Sequence, residues 1–509
     1  MGKLTVWVLP LFLLGCSGSG NDNDNEFSLT LAELLSGTLT ITENDQDSSV
    51  FISDLDLEVD PTNLSQLSFT IVPKREAVAQ AISATFDIDK LVTSDDVVKL
   101  PIWGMYDDFE NTVNVTLHFI DGSEKIVSHN VLTEPYLDPD SLYDQIVINK
   151  SINATSEIKH SYIFLESNAR QGPVIMDIDG YIRWVTNNPA GPSGGLDLLP
   201  FEYMSAKFDD GEIVMHLDGN LLKLRLSGEK TVSPIEAIGL TNILSHHEIE
   251  KGKYGYILNI DATKNEKSII EAILLEVDSD GNYIDHWDFG EIIANHMLEN
   301  LEDPTALVRD GIDWFHMSSA IYDPSDDSII VSARELFVMK VAYSTKEIKW
   351  ILGDETKYWA EFPSLLAMSL YSSDIKPMGQ HALSITGGQL MMFNNGQASF
   401  NQPEGEAAGE VLSTSLAMKW EIDEINMEAK NTWSYDAGIY SDVCSSAYEQ
   451  DGSYLVTYGS VNRRTSLKNK IIIQGLDTEK NVSYEFEHLG FCSSWSGEII
   501  RLESLVYAD

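Results

Sequence analysis

Between positions 27 and 136, apolar and polar residues alternate in short runs separated by polar turns. SGTLTITEN, LSFTIVPKR and NTVNVTLHFIDGSEKIVSHNV are representative, and Asp121-Gly122 splits the last as a hairpin signal. Period-two alternation buries one face of each strand. The region therefore predicts a small β-sandwich, with one short helix in TLAELLSG. The mixed, polar segment 137–154 predicts a linker. From 155 to 509 the pattern changes. One series of strands ends on aromatics, in DGYIRWV, GNYIDHWDFG, TKEIKWILGD and AKNTWSYDAG. A second series, HEIEKGKYGYIL, HALSITGGQLMMF and SAYEQDGSYLV, runs into turns marked by glycine or aspartate. His247, His316, His381 and Ser446 head successive units at intervals of 69, 65 and 65 residues. Earlier units around IKHSYIFLESN and SAKFDDGEIVMHLDGN bring the number to six. Recurrent strand pairs without comparable helical periodicity predict an all-β chain, an N-terminal sandwich followed by a six-bladed β-propeller. A stack of separate sandwiches is the alternative. The repeat is longer than the roughly 40–45 residues of a compact blade, so the excess is expected in loops, where function is usually placed.

One hairpin makes the propeller reading chemical. In IDWFHMSSAIYDPSDDSIIVSARE the turn is DPSDDS, and a register symmetric about it sets Tyr322 opposite Ser328. Carried outward, it sets His316 opposite Arg334; the same arithmetic on HALSITGGQLMMFNNG pairs His381 with Asn394. Innermost strands line a propeller's channel. His247, His316, His381, Ser446, Arg334 and Asn394 are thus expected at one channel mouth, with no evident carboxylate among them. Strand alternation puts His246 on the face opposite His247, which leaves open which of the two points inward. Three imidazoles can hold zinc with an open position. Arg334 beside them would repel a cation, so the expected ligand is an oxyanion and no metal.

Charge sharpens that expectation. With 80 acidic against 33 basic residues the net charge is -47, which opposes nucleic acid as a partner and repels anions at long range. An anion site must then be built locally from few cations. The opening MGKLTVWVLPLFLLGCSGSGNDNDNE has an apolar run too short to span a bilayer with comfort, in the form of a signal peptide. Leu-Leu-Gly-Cys resembles a bacterial lipobox. It predicts a lipoprotein-type signal over 1–15, lipidation of Cys16 and a flexible tether over 16–26. The expected location is the periplasm or cell envelope, lipid-anchored to the outer membrane; an ordinary cleaved signal is the other reading. Cys444 and Cys492 remain, and in an oxidising compartment a leftover pair most simply forms a disulfide, with a catalytic thiol as rival.

DWFHMSSAIYDPSDDSIIVSAR, SHHEIEKGKYGYILNIDAT, PMGQHALSI with FNNGQ, and IYSDVCSSAY resemble the bacterial arylsulfate sulfotransferases. PIWGMYDDFENTV is similar to the segment that these enzymes carry in their β-sandwich domain. The resemblance runs over nearly all of the mature chain. It implies the sandwich-plus-propeller fold, no cofactor, and transfer of a sulfuryl group from an aryl sulfate donor to a phenolic acceptor without the nucleotide donor PAPS. It also implies a ping-pong course through a sulfated histidine, and a possible homodimer. His381 matches the nucleophile. His247, His316 and Arg334 match residues around the sulfuryl group, and Ser446 falls where the family has a hydroxyl residue. Ser318 stands where better-known members have asparagine. The cysteine pair of some members precedes the nucleophile, whereas Cys444 and Cys492 follow it.

The chemistry is also arguable from residue types. Neutral imidazole is a competent nucleophile near pH 7. Arg334, His316 and Ser446 suit the charge spread over the equatorial oxygens, and His247 is the candidate general acid and base. Ser318 and Asn394 are expected to contact substrate. Two other readings compete: a non-catalytic anchored propeller acting as a binding scaffold, and an aryl sulfate hydrolase. Sulfatases convert a residue within Cys/Ser-x-Pro-x-Arg, which no stretch here fits. PAPS-dependent transfer needs a glycine-rich phosphate loop before a helix, and GQHALSITGG is strand-like.

Overall fold

The computed structural model describes residues 29–508 apart from 36–38, 46–48, 139–140, 168–171, 187–204, 218 and 493. The expected signal, Cys16 and tether lie outside the described residues. Among the described residues no helix is long and apolar enough to cross a membrane.

Alternation builds the N-terminal domain as the sequence predicts. In the strand Glu110–Phe119, Val113, Val115 and Leu117 are fully buried while their neighbours are not. They pack with Leu55, Phe69, Leu100 and Trp103 between two sheets. One sheet holds four strands, from Ile41–Asp45 to Val92–Ser94. The other holds five, and its edge strand Leu505–Tyr507 comes from the far end of the chain and pairs in parallel with Ile82–Asp87. The helix expected in TLAELLSG is Leu31–Leu34, closed by a Thr30–Glu33 capping box.

Six further sheets form the propeller blades. Their innermost strands are, in ring order, Ser496–Ile500, Ala206–Asp209, Thr241–Lys251, Met317–Asp323, His381–Thr386 and Ser446–Gln450. The first blade corrects the sequence reading. Tyr162–Glu166, in IKHSYIFLESN, is its second strand, because Ser496–Ile500 pairs inside it and closes the ring. The segment expected as a linker also contributes a strand, Val147–Lys150, to the outer edge of the sixth blade.

The aromatic-ended series is the outermost strand of four blades, and each tryptophan reaches the next blade. Trp184 Nε1 donates to Leu226 O at 3.0 Å, Trp287 Nε1 to Tyr343 O at 3.2 Å and Trp350 Nε1 to Glu424 at 3.0 Å. Trp433 instead stacks on Tyr454 of the sixth blade at 4.1 Å. The first three rings are at most 1% exposed. Burying such a ring stabilises by about 5 kcal/mol before entropy is charged against it. These blade-to-blade contacts hold the inner strands where the site is built.

Candidate active site

Three blades share one local device. The register of the inner strand breaks in mid-strand between Ser245 and Ile249, and at the head of the strand between Met317 and Ser319 and between His381 and Ser384. One residue in or next to each break is left-handed: His247 at φ 57°, His316 at φ 50° and Ala382 at φ 53°. That conformation costs about 1 kcal/mol or more for a residue with a Cβ. Its effect is to re-aim side chains that strict alternation would send to the sheet face.

The bulges decide the pairings. At DPSDDS the turn pairs Asp323 with Ser328, one step from the symmetric register. The extra residue at Ser318 makes up the step, so Arg334 N donates to His316 O at 3.0 Å and the two stand together as expected. In the next hairpin the turn follows the arithmetic, Thr386 against Gln389, and the bulge then shifts His381 onto Phe393. The side chain that meets His381 is Asn395. Asn394 is corrected: its Oδ1 accepts from Met378 N and Gly396 N at 3.0 and 3.1 Å, inside the turn.

The imidazoles converge. Ring centroids of His247 and His316 are 4.8 Å apart, and those of His247 and His381 are 6.1 Å apart. Glu271, from the third strand of the His247 blade, lies between the first two, which corrects the expectation of a cluster without a carboxylate. Its Oε2 accepts from His316 Nδ1 at 2.7 Å and from His247 Nε2 at 3.3 Å. Asp313 takes a second bond from His316 Nδ1, also at 2.7 Å. His246 is not turned away: it donates to Asp261 at 2.9 Å and its other nitrogen lies 3.4 Å from Glu271 Oε1. Left-handed His247 lets both neighbours reach one carboxylate, so alternation does not separate them. Ligand atoms of His247, Glu271 and His316 lie within 4.8 Å of one another, a spacing a divalent cation also accepts.

Hydrogen bonds fix the tautomers. Asn395 Nδ2 donates to Ser441 O and Cys444 O at 2.8 and 2.9 Å, which turns Oδ1 toward His381. His381 Nδ1 faces that oxygen at 2.8 Å and Gly379 O at 3.1 Å. With two acceptors before it, Nδ1 must carry the proton, and Nε2 holds a lone pair. On His247 the arrangement is reversed. Nε2 donates to Glu271, and Nδ1 is buried without a partner.

Electrostatics separate the rings further. His381, 4% exposed, has its pKa held well below the ordinary value by burial and by the charges of His247, Arg334 and His316. Burial and Arg334 oppose a charge on His316 as well, but Glu271 and Asp313 outweigh them and raise its pKa. Burial would raise Glu271, yet His316 and His247 hold it well below the carboxylate range. Burial lowers His247 despite Glu271. The pocket thus favours the neutral form of His381 and the cationic form of His316.

Arg334 is anchored by Nε and Nη2 on fully buried Glu335, which leaves Nη1 without a hydrogen-bond partner among the described residues. Glu335 in turn accepts from the Phe400 and Asn401 amides at 2.6 and 2.9 Å. Buried Lys357 holds the Arg334 and Glu335 carbonyls at 3.1 and 3.2 Å, and burial pushes its pKa down to about 8. Cys444 and Cys492 form a disulfide. Beside the bridge, Trp495 packs 5.5 Å from the His247 ring.

The arylsulfotransferase (ASST) family pattern matches 133–494, and that of the arylsulfotransferase Ig-like domain matches 54–134. This chain belongs to the arylsulfotransferase family. Arylsulfate sulfotransferase AssT of Lelliottia amnigena is 20% identical over 513 residues, covering 80% of this chain and 82% of that protein. The enzyme of that name in Escherichia coli O6:H1 is 25% identical over 238 residues, 36% of this chain and 39% of its own length. BamB from Moraxella catarrhalis, a solved structure, overlays at a TM-score of 0.26 with 11% identity, over 66% of this chain and 90% of that one.

Two serines of this arylsulfotransferase sit differently from expectation. Ser446 Oγ exchanges hydrogen bonds with the Gly497 backbone at 2.9 and 3.0 Å, so its hydroxyl ties the sixth blade to the closing strand. Ser318 Oγ donates to Gln380 O at 2.7 Å and meets Ser332 Oγ at 2.8 Å. It braces the peptide just before His381. Glu271, Asp313, Asn395 and Trp495 are the site residues that sequence reasoning passed over. Asp313 and Asn395 were within reach, one inside DWFH and one a single step along FNNG.

Proposed function

We propose that aryl sulfate transfer by this arylsulfotransferase runs through a sulfated His381, in two in-line displacements. The observation that carries the reading is the His381 tautomer, fixed by Asn395 and Gly379, with its nucleophilic Nε2 left free. Nε2 attacks sulfur, and the bond from sulfur to the aryl oxygen breaks. Cationic His316, with Nδ1 held by Asp313 and Glu271, keeps Nε2–H for the sulfuryl oxygens. Arg334 Nη1 supplies a second donor. Fixed donors in a water-poor pocket are worth several kcal/mol of barrier, about 3 kcal/mol each. The first aryl group departs as its phenolate, and His247 Nδ1, which holds the lone pair, takes the proton of the incoming phenol as general base and returns it to the released phenolate. The second phenol then attacks sulfur and regenerates neutral His381.

Purified protein given an aryl sulfate and a phenol, without nucleotide, should transfer sulfate. Brief exposure to donor alone should yield a sulfated peptide containing His381 by mass spectrometry; the label on any other residue refutes the nucleophile. The lipobox supports an enzyme anchored at the cell envelope, and Cys16→Ala should release it from the membrane fraction.

A further inference from the structure

The chain has few arginines, yet three of them surround one exposed ring beside the sulfuryl site. The Cζ atoms of Arg334, Arg464 and Arg463 lie 4.9, 5.3 and 6.0 Å from the Phe400 centroid. Arg463 also lies 5.2 Å from the ring of Phe491, next to the disulfide. Both phenylalanines are exposed, at 41% and 43%. A soluble surface has no packing reason to present two aromatic faces to water at the rim of a pocket. The Phe400 loop is not loose, because its amides are bound to Glu335, the anchor of Arg334.

Charge does not close the group. Arg463 Nη1 and Arg464 Nε share one carboxylate oxygen of buried Asp442, at 3.4 and 2.7 Å. Two guanidinium groups against one carboxylate leave a positive charge. Both terminal nitrogens of Arg464 make no hydrogen bond among the described residues, and its side chain is half exposed. Tyr440, Asp442, Arg463, Arg464 and Lys470 line an adjoining cavity of about 310 Å³, to which Phe400 and Phe491 do not contribute. In a molecule of net charge -47 such a patch is not a by-product of composition. A guanidinium fork aimed at open space suits a planar oxyanion.

Resting on the transfer reading above, we infer that Phe400, Phe491, Arg463 and Arg464 form a substrate subsite for aryl sulfates or phenols whose ring bears a second anionic group. The ring lies against Phe400, its sulfate ester reaches Arg334 and His381, and the distal carboxylate pairs with the free end of Arg464. The subsite sets specificity and takes no part in the displacement.

The test compares 4-carboxyphenyl sulfate with 4-nitrophenyl sulfate as donors, at saturating phenol. Wild type should show the lower KM for the carboxylated donor. Arg464→Gln should raise that KM roughly three- to tenfold, as expected for a half-exposed ion pair, with kcat unchanged and 4-nitrophenyl sulfate unaffected. Phe400→Leu should raise KM for both donors. Equal losses on the two donors in Arg464→Gln, or no preference in wild type, would overturn the subsite. If neither donor turns over, the transfer reading has failed, and calorimetric titration with 4-hydroxybenzoate and with phenol still decides this one. Tighter binding of 4-hydroxybenzoate that is lost in Arg464→Gln supports it, and equal binding of the two overturns it.

Discussion

The hairpins headed by His316 and His381 are built alike and arranged for opposite ends. Both begin with a bulge and a left-handed residue, and both aim an imidazole at the same few ångströms of pocket. The partners differ. His316 is held by two carboxylates, and its pKa is raised; His381 is held by an amide oxygen and a peptide carbonyl, and its pKa is lowered. One fold element therefore favours a cationic ring and a neutral ring side by side, and the choice rests on what faces Nδ1. Environments that drive two like groups apart assign their roles.

Removing the neutral ring is the severest way to break that comparison. His381→Asn should cut transfer by about 10⁴-fold or more while the circular dichroism spectrum stays native. Glu271→Gln should come next, with a loss of about 10²-fold, because only Asp313 then remains to favour the charge on His316. The pH profile makes the same point. Under the proposed transfer, activity needs His381 without a proton and His316 with one. A lowered His381 pKa puts the acid limb below the ordinary histidine range, and a raised His316 pKa puts the alkaline limb above it. Glu271→Gln should draw the alkaline limb down. Asn395→Asp should move the acid limb up by about one unit, since a carboxylate favours the protonated ring; an unmoved limb would show that Asn395 does not govern His381. The smallest effects should be Ser446→Ala and Asn394→Ala, whose partners are backbone groups and, for Asn394, the Met418 sulfur, all outside the proposed chemistry. Each should lower the melting temperature and leave kcat within about threefold, a loss of stability of about 1–3 kcal/mol.

Much of the architecture was legible because blades obey alternation. Outer strands ending in Trp184, Trp287 and Trp350 announce the blade contacts, and the sandwich strands read cleanly. The site was less legible because it is where alternation stops. His316 and Arg334 were paired correctly although the turn was misplaced by one residue, since the Ser318 bulge cancelled the error. The same device in the next hairpin moved the partner of His381 from Asn394 to Asn395. Glu271 left no periodic trace. It is itself left-handed, at φ 47°, and its amide is held by Asp261, so neither strand nor turn signals single it out. The innermost strand of the first blade was misread for another reason, that a strand's partner can lie more than 300 residues away.

That last pairing governs when the molecule can begin to work. Ser496–Ile500 completes the ring, Leu505–Tyr507 edges the opening domain, and Trp495 and Cys492 precede them. During synthesis the histidines are all made long before the residues that lock them into a circle. A nascent polypeptide that has not yet reached Ser496 lacks the innermost strand of its first blade, so the ring closes only once that strand is made.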